Sequence, residues 1–338
     1  MLDGIFDVKK WFVIILKTGV SAGLIWVLLS GVDFQSLKIK FDKINLTLVL
    51  VAMGAIMAQI FIGTLRWMSV LKGLGANVMF FALAKLYYIG VFFNQALPGG
   101  TGGDAVRVFL SYREGVNFRH AFNGVFLERV ATVLALIALV DITQPFFIES
   151  LSEEMASVSL TSAIIISLGG IVGVILLTQL YRFPERIQHW SIIRGLGNLG
   201  RDLRLIFFSF KRAGPPLFWS LVGHINVSFS VFLLATSLRL NVSLFDCIIL
   251  VPPVLLILSI PISIGGWGVR EGAMVWAFAL VGVPKEAALA LSLLFGIVVL
   301  LTALPGGVVW LVTRKGDNNS SSIPKGAIGA IQDQQEKT

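Results

Sequence analysis

A chain of 338 residues that is 56% hydrophobic and only 14% charged cannot cover the surface of a soluble domain, which needs about a quarter of its residues charged. The mean hydropathy of +0.86 says the same. The net charge of +8 points to anionic lipid headgroups at a membrane face, not to nucleic acid. A single cysteine, Cys247, excludes a disulfide scaffold and a multi-cysteine metal site. His120, His189 and His224 have no spaced ligand partner, so neither a metal nor another cofactor is expected.

About 20 helical residues at ~1.5 Å each cross a ~30 Å hydrocarbon core. Apolar runs of that order recur at 11–29, 46–65, 80–97, 118–140, 159–180, 215–236, 243–260 and 286–313. The expected fold is therefore all-α, a polytopic transmembrane bundle of about eight spanning helices. The first run follows Lys9 and Lys10 without a small-x-small cleavage pattern and reads as a retained helix. Arg66 and Lys72 place the connection after the second run on the cytoplasmic side. After the third run comes "LPGGTGGDAVRVF" (97–109), far too polar and glycine-rich for an ordinary span. The fourth run carries Glu128 and Arg129 about a third of the way along. The next loop, 141–158, holds Asp141, Glu149, Glu153 and Glu154 and no base, whereas 181–214 holds seven Lys and Arg residues against Glu185 and Asp202. The positive-inside rule makes the basic loop cytoplasmic and the acidic one external. The polar stretch 314–338 reads as a disordered cytoplasmic tail on a membrane domain of 1–313, with both termini on the cytoplasmic side of the cell membrane. Lys17 and Lys85, inside apolar runs, either snorkel or face a pore.

Counting crossings under this orientation leaves two segments, 98–117 and 261–285, that must carry the chain back across the bilayer. They match each other. "PGGTGGDAVR" (98–107) and "PISIGGWGVR" (261–270) share a proline, a Gly-Gly pair and a Val-Arg at the same spacing. Gly102 and Gly103 fall on Gly265 and Gly266, and Arg107 falls on Arg270. By the crossing count the two copies run in opposite directions, the signature of an inverted-topology repeat whose interrupted segments build a site near the bilayer midplane.

Non-helical backbone at membrane depth leaves peptide groups unpaired unless it lines a cavity or ligand. Glycines leave N–H groups accessible, and N–H groups at a helix start with an arginine beyond them suit a phosphate. Arg107 and Arg270 stand there in both copies, and a forked guanidinium fits phosphate oxygens. Asp104, one turn from Arg107, can hold that side chain or cap the helix. Glu128 and Arg129 would each cost roughly 2.5–3.5 kcal/mol if left bare at the bilayer centre. With Arg270 and Glu271 they offer four charges of alternating sign around a polar cavity. Two structural alternatives stand beside this: Arg107 snorkelling to headgroups, and an ion-pair cluster that only fixes helix packing. Gly100, Gly102 and Ala105 satisfy a dinucleotide-binding pattern, but that pattern has meaning only in a parallel βαβ unit.

In combination these residues resemble the lysylphosphatidylglycerol synthase transmembrane family, up to about residue 313. One signature falls on Asn94, Leu97, Pro98, Gly99, Gly100, Gly102, Gly103, Asp104 and Arg107 with the later Glu128 and Arg129. The other falls on Pro261, Ser263, Gly265, Gly268, Arg270 and Glu271. The resemblance implies a flippase-like module that moves a phospholipid or polyprenyl-linked lipid between leaflets, as a homodimer or beside a separate lipid-synthesising enzyme. Multidomain members continue into a soluble aminoacyl-transferase domain, which these 338 residues do not contain. Transport without catalysis is the expectation. The rival is a membrane-embedded enzyme, or enzyme subunit, that modifies a lipid-linked substrate.

Overall fold

The computed structural model describes residues 44–97, 102–149, 153–179, 190–260 and 266–320, with a few single positions outside these segments. All regular structure among them is helical. Ten helices follow in order: α1 (Leu46–Gly73), α2 (Phe80–Ala96), α3 (Gly102–Arg113), α4 (Phe118–Ile148), α5 (Glu153–Gln179), α6 (Ser191–Phe207), α7 (Phe210–Ser237), α8 (Leu244–Leu258), α9 (Val269–Ala279) and α10 (Lys285–Ser320). Four are long and apolar enough to cross a membrane by length and composition alone: α1, α5, α7 and the stretch Lys285–Thr313 of α10. A fifth long helix, α4, has 31 residues and carries the buried Glu128 together with Arg119, Arg129 and Asp141. The first expected span, 11–29, lies almost wholly outside the described residues, as does the tail beyond residue 320.

Two helices stop short. α2 has 17 residues and α8 has 15, which at ~1.5 Å each give about 25 and 22 Å against a ~30 Å core. Each is followed by a short helix, α3 of 12 residues and α9 of 11. These are the two interrupted elements of the sequence, now seen as two separate helices in each half.

The contacts between helices carry an internal two-fold. Exchange α1, α2, α3 and α4 with α7, α8, α9 and α10, and every helix–helix contact among the eight maps onto another that is present. Thus α2 packs on α10 as α8 packs on α4, and α1 on α10 as α7 on α4. The most extensive interface, α1 on α7, maps onto itself and so lies on the axis. Its direction is fixed by hydrogen bonds. Asn45 N–H, before α1, donates to the carbonyl of Ser237, the last residue of α7 (3.1 Å). The Asn226 amide donates to the Ala55 carbonyl (2.8 Å) and to Gln59 Oε1 (3.0 Å). At the other end, Gly73 closes on Arg212. The two helices are antiparallel, so the axis runs across them and the repeat is inverted. The largest apolar core fills the second half, between α7, α8, α9, α10 and the start of α1.

Two outer helices join the halves. α5 has only Ala163 and Thr178 buried, as a helix surrounded by lipid would. The acidic connection is shorter than the hydropathy pattern gave, because α4 continues through Pro145 and α5 starts at Glu153, with Glu153 and Glu154 favourably placed in its first turn. The basic "loop" is no loop either: it contains the 17-residue helix α6. Leu199, Leu203 and Ile206 recur there at helical spacing and are buried, while the arginines between them hide the segment from any search for apolar runs. α6 packs where α1 and α5 end and α4 and α7 begin, so it marks one face of the bundle. Cysteines in place of Glu154, in the first turn of α5, and Arg194, on α6 beyond the other end of α5, should accordingly react with impermeant maleimide from opposite sides of sealed vesicles; labelling of both from one side would refute this topology.

Candidate functional site

The site begins where α2 gives way to α3. Asn94, in the last turn of α2, reaches across the break, and its Oδ1 accepts the backbone N–H of Gly103 (2.9 Å). An orphan donor of the new helix is thereby satisfied from outside. A β-carbon on Gly103 would be driven into the Gly90 carbonyl, and one on Gly90 would strike the Arg107 side chain. The two glycines let α2 and α3 touch backbone to backbone, with Arg107 laid into the seam at 3% exposure. Pro98, Gly99 and Gly100 lie outside the described residues. Gly102 starts α3 against Leu97.

Arg107 then organises three helices. Its Nη2 donates to Asp104 Oδ1 (2.8 Å) on its own helix and to Glu128 Oε2 (2.9 Å) on α4. Its guanidinium stands 5.0 Å from the Trp67 ring and 4.9 Å from the Tyr87 ring, near enough for cation–π attraction on both. The second Glu128 oxygen, Oε1, accepts from Arg66 Nε (2.7 Å) on α1, and Arg66 Nη2 also reaches the Tyr87 hydroxyl (3.3 Å). Glu128 is 1% exposed. Arg129 faces the other way. Its Nε and Nη2 donate to Asp104 Oδ2 and Oδ1 at 2.8 and 2.9 Å, a fork-to-fork pair. Its side chain is 44% exposed. Three arginines on two carboxylates leave the cluster with one positive charge.

Beside this cluster opens a cavity of about 650 Å³ between α3, α4 and the end of α8. Asp104 and Arg129 supply its charge, and Thr132 and Ser259 further polar groups. Phe109, Tyr112, Phe118 and Phe122 wall it with aromatic surface. Gly266, from the second interrupted segment, closes one side at φ +81°, a left-handed conformation that glycine adopts without strain. A second cavity, of about 480 Å³ and mostly apolar, lies toward the other end of α4, against α5, α8 and α9.

In the second half, Arg270 donates from Nε (3.0 Å) and Nη2 (2.6 Å) to Glu271 Oε1. Glu271 Oε2 accepts the N–H of Gly268 (2.6 Å), which caps α9. The Arg270 guanidinium lies 4.5 Å from the Trp267 ring and against Gly296 of α10. Each half therefore holds an arginine over an aromatic ring, against a glycine of a neighbouring helix. The expectation of four charges around one cavity is met differently: Asp104 and Arg129 line it, Glu128 and Arg107 are buried behind them, and among the described residues no ion pair joins Arg270 and Glu271 to this group. Pro261, Ser263 and Gly265 lie outside the described residues.

Sequence reasoning placed Arg66 in a connecting loop. It lies inside α1 at 4% exposure. The signal was available in "IFIGTLRWMSVL" (60–71), where an arginine one position before a tryptophan interrupts an apolar run that continues on both sides. Tyr87 and Trp67, which stack on Arg107, carried no pattern of their own.

The family model of the lysylphosphatidylglycerol synthase transmembrane region matches residues 14–306. The chain belongs to this family. The lysylphosphatidylglycerol synthase transmembrane proteins are membrane proteins of lipid metabolism or transport, and both interrupted segments and the whole ion cluster fall inside the matched region. A relative described as a UPF0104 membrane protein, from Pyrococcus horikoshii, is 25% identical across 91% of this chain and 98% of its own length.

Glu128 holds two buried arginines at once. Glu128→Ala should cost about 3–5 kcal/mol by stranding them, seen as a large fall in the unfolding temperature of detergent-solubilised protein. Gly103→Ala should cost about 1–3 kcal/mol by forcing α2 and α3 apart, measured in the same way. Wild-type stability in either variant would contradict the packing described.

Proposed function

We propose that this protein moves a lipid with a phosphate-bearing headgroup between the leaflets of the cell membrane, with both termini cytoplasmic. The observation that supports the reading most directly is Arg129, a half-exposed guanidinium in an aromatic-walled cavity at membrane depth. A carboxylate already sits on its fork, and a phosphate presents oxygens in a similar geometry. A headgroup phosphate can therefore compete with Asp104 for Arg129, and the surplus positive charge of the cluster favours an anion there. Glu128, Arg66 and Arg107 keep the floor rigid beneath it, so binding does not require the site to be assembled anew. The aromatic and aliphatic walls suit the glycerol and upper acyl region, while the chains stay in lipid.

The inverted two-fold supplies a route to the opposite state. Two halves with the same contacts in opposite orientation can exchange conformations, and a site between them then faces first one leaflet and then the other. A separate lipid-synthesising enzyme and a second copy of this chain are the protein partners this reading expects.

The test is leaflet-resolved movement of fluorescent phosphatidylglycerol and phosphatidylcholine in proteoliposomes. Arg129→Gln should slow it at least about tenfold, as loss of a charge-assisted hydrogen-bonding pair implies. Arg129→Lys should restore part, keeping the charge and losing the fork. Unchanged flipping in Arg129→Gln would refute the assignment, and a chemically altered lipid in the product would favour the enzymatic reading.

A further inference from the structure

The helix α6 and its junction with α7 form a second charged feature, distinct from the cavity. α6 turns Leu199, Leu203 and Ile206 onto a core shared with Val70 and Leu74 of α1 and Leu127 of α4. Asp202, the one acid between Trp190 and Arg212, points the same way and is buried. Its Oδ2 accepts from Arg119 Nε (3.2 Å) and from the Asn123 amide (2.6 Å), both on the first turns of α4. The acid is thus consumed inside. Arg194, Arg201 and Arg204 are exposed on the outward side, and Lys211 and Arg212 follow at the start of α7. A groove of about 620 Å³ runs between Arg201, Arg204 and Arg212, with Leu205, Phe208 and Ser209 completing it.

We propose that this groove binds a resident anionic phospholipid of the leaflet on that face, a lipid that is held and not transported. Three arginines around one groove complement a phosphate with a net negative headgroup. The position fits, because α6 lies at the face where α1 and α5 end and α4 and α7 begin, which is the headgroup layer for helices that span. The apolar neighbours choose between anions. Phe208 is 63% and Phe210 97% exposed. Phenylalanine beside a Lys/Arg-rich face is the pattern of amphipathic segments that lie in the membrane interface. They find apolar cover against the glycerol and acyl region of a lipid, whereas a nucleic acid or an acidic protein would leave them in water.

The site is separated from the cavity by α4 itself. Phe118 and Phe122 face the cavity, while Arg119 and Asn123 hold Asp202 of α6. A lipid clamped by α6 and α7 therefore fixes the helix that braces the first turns of α4. The inference stands independently of the flippase reading, since it needs only the groove and the membrane.

The test uses photoactivatable phosphatidylglycerol at low mole fraction in phosphatidylcholine nanodiscs, with cross-linked peptides mapped by mass spectrometry. Cross-links should concentrate on the peptide covering residues 201–212 and be competed by unlabelled phosphatidylglycerol but not by phosphatidylcholine or inorganic phosphate. Replacing Arg201, Arg204 and Arg212 together by glutamine should lower the yield there at least about tenfold, from the attraction each basic residue adds near an anionic surface, and leave cross-links to residues 118–133 unchanged. The corresponding triple lysine variant should retain most of the yield, which separates lost charge from lost fold. Equal yield in the glutamine variant, or equal competition by phosphatidylcholine or inorganic phosphate, would overturn the proposal. If flipping fails in the preceding assay while this pattern appears, only the transport reading falls.

Discussion

A carboxylate in the middle of a membrane-crossing helix cannot be left bare, and the first half of this protein is arranged around that constraint at Glu128. One oxygen takes Arg66 from α1 and the other takes Arg107 from α3. Three helices that have no strong apolar reason to choose each other in lipid are thereby bound to one another. Tyr87 adds α2, as hydrogen-bond acceptor for Arg66 and as ring for Arg107. Removing any one charge strands the others, so the cluster acts as a single polar core within the bundle. Its surplus charge is presented outward through Asp104 and Arg129, the members that the cavity reaches.

The inverted two-fold explains why the chain has two such arginines, and its imperfection is informative. Helix contacts obey the symmetry, yet the chemistry does not. In the first half the arginine takes Glu128 from the next helix as well as Asp104 from its own, and the cluster continues to a cavity. In the second half Arg270 takes Glu271, its chain neighbour, and the pair closes on itself with Ser292 and the cap of α9. The fold keeps the duplicated scaffold, while the ionic cluster that meets a cavity belongs to one copy.

The glycines of the two interrupted segments also divide their work. Gly103 has no special backbone conformation, and its N–H is already taken by Asn94, so its value lies in close packing on Gly90. Gly266 and Gly268 instead have φ of +81° and +85°, where a side chain would be strained. Identical letters at aligned positions thus meet a packing demand in one copy and a conformational demand in the other. Of the first N–H groups of α3, that of Gly103 is taken by Asn94, and the exposed guanidinium beside the cavity is that of Arg129 on α4.

The sequence by itself determined that this is a helical membrane protein, where most helices run, that two Gly/Pro segments interrupt the spans, and that these are inverted copies. Those facts follow from hydropathy and spacing, which act along the chain and can be read one residue at a time. Asp104, Arg107, Glu128 and Arg129 also stood out, because ionisable groups in apolar runs are costly wherever they occur. Only the tertiary structure decided their partners. Arg66 and Glu128 are 62 positions apart, and nothing local in either helix records that their faces meet. α6 was concealed for a related reason: its apolar side is a stripe among arginines that becomes a core only once α1 and α4 supply the opposite wall. Which arginine faces a cavity and which is sealed behind it depends on how helices cross, a property of the packed bundle that no single segment encodes.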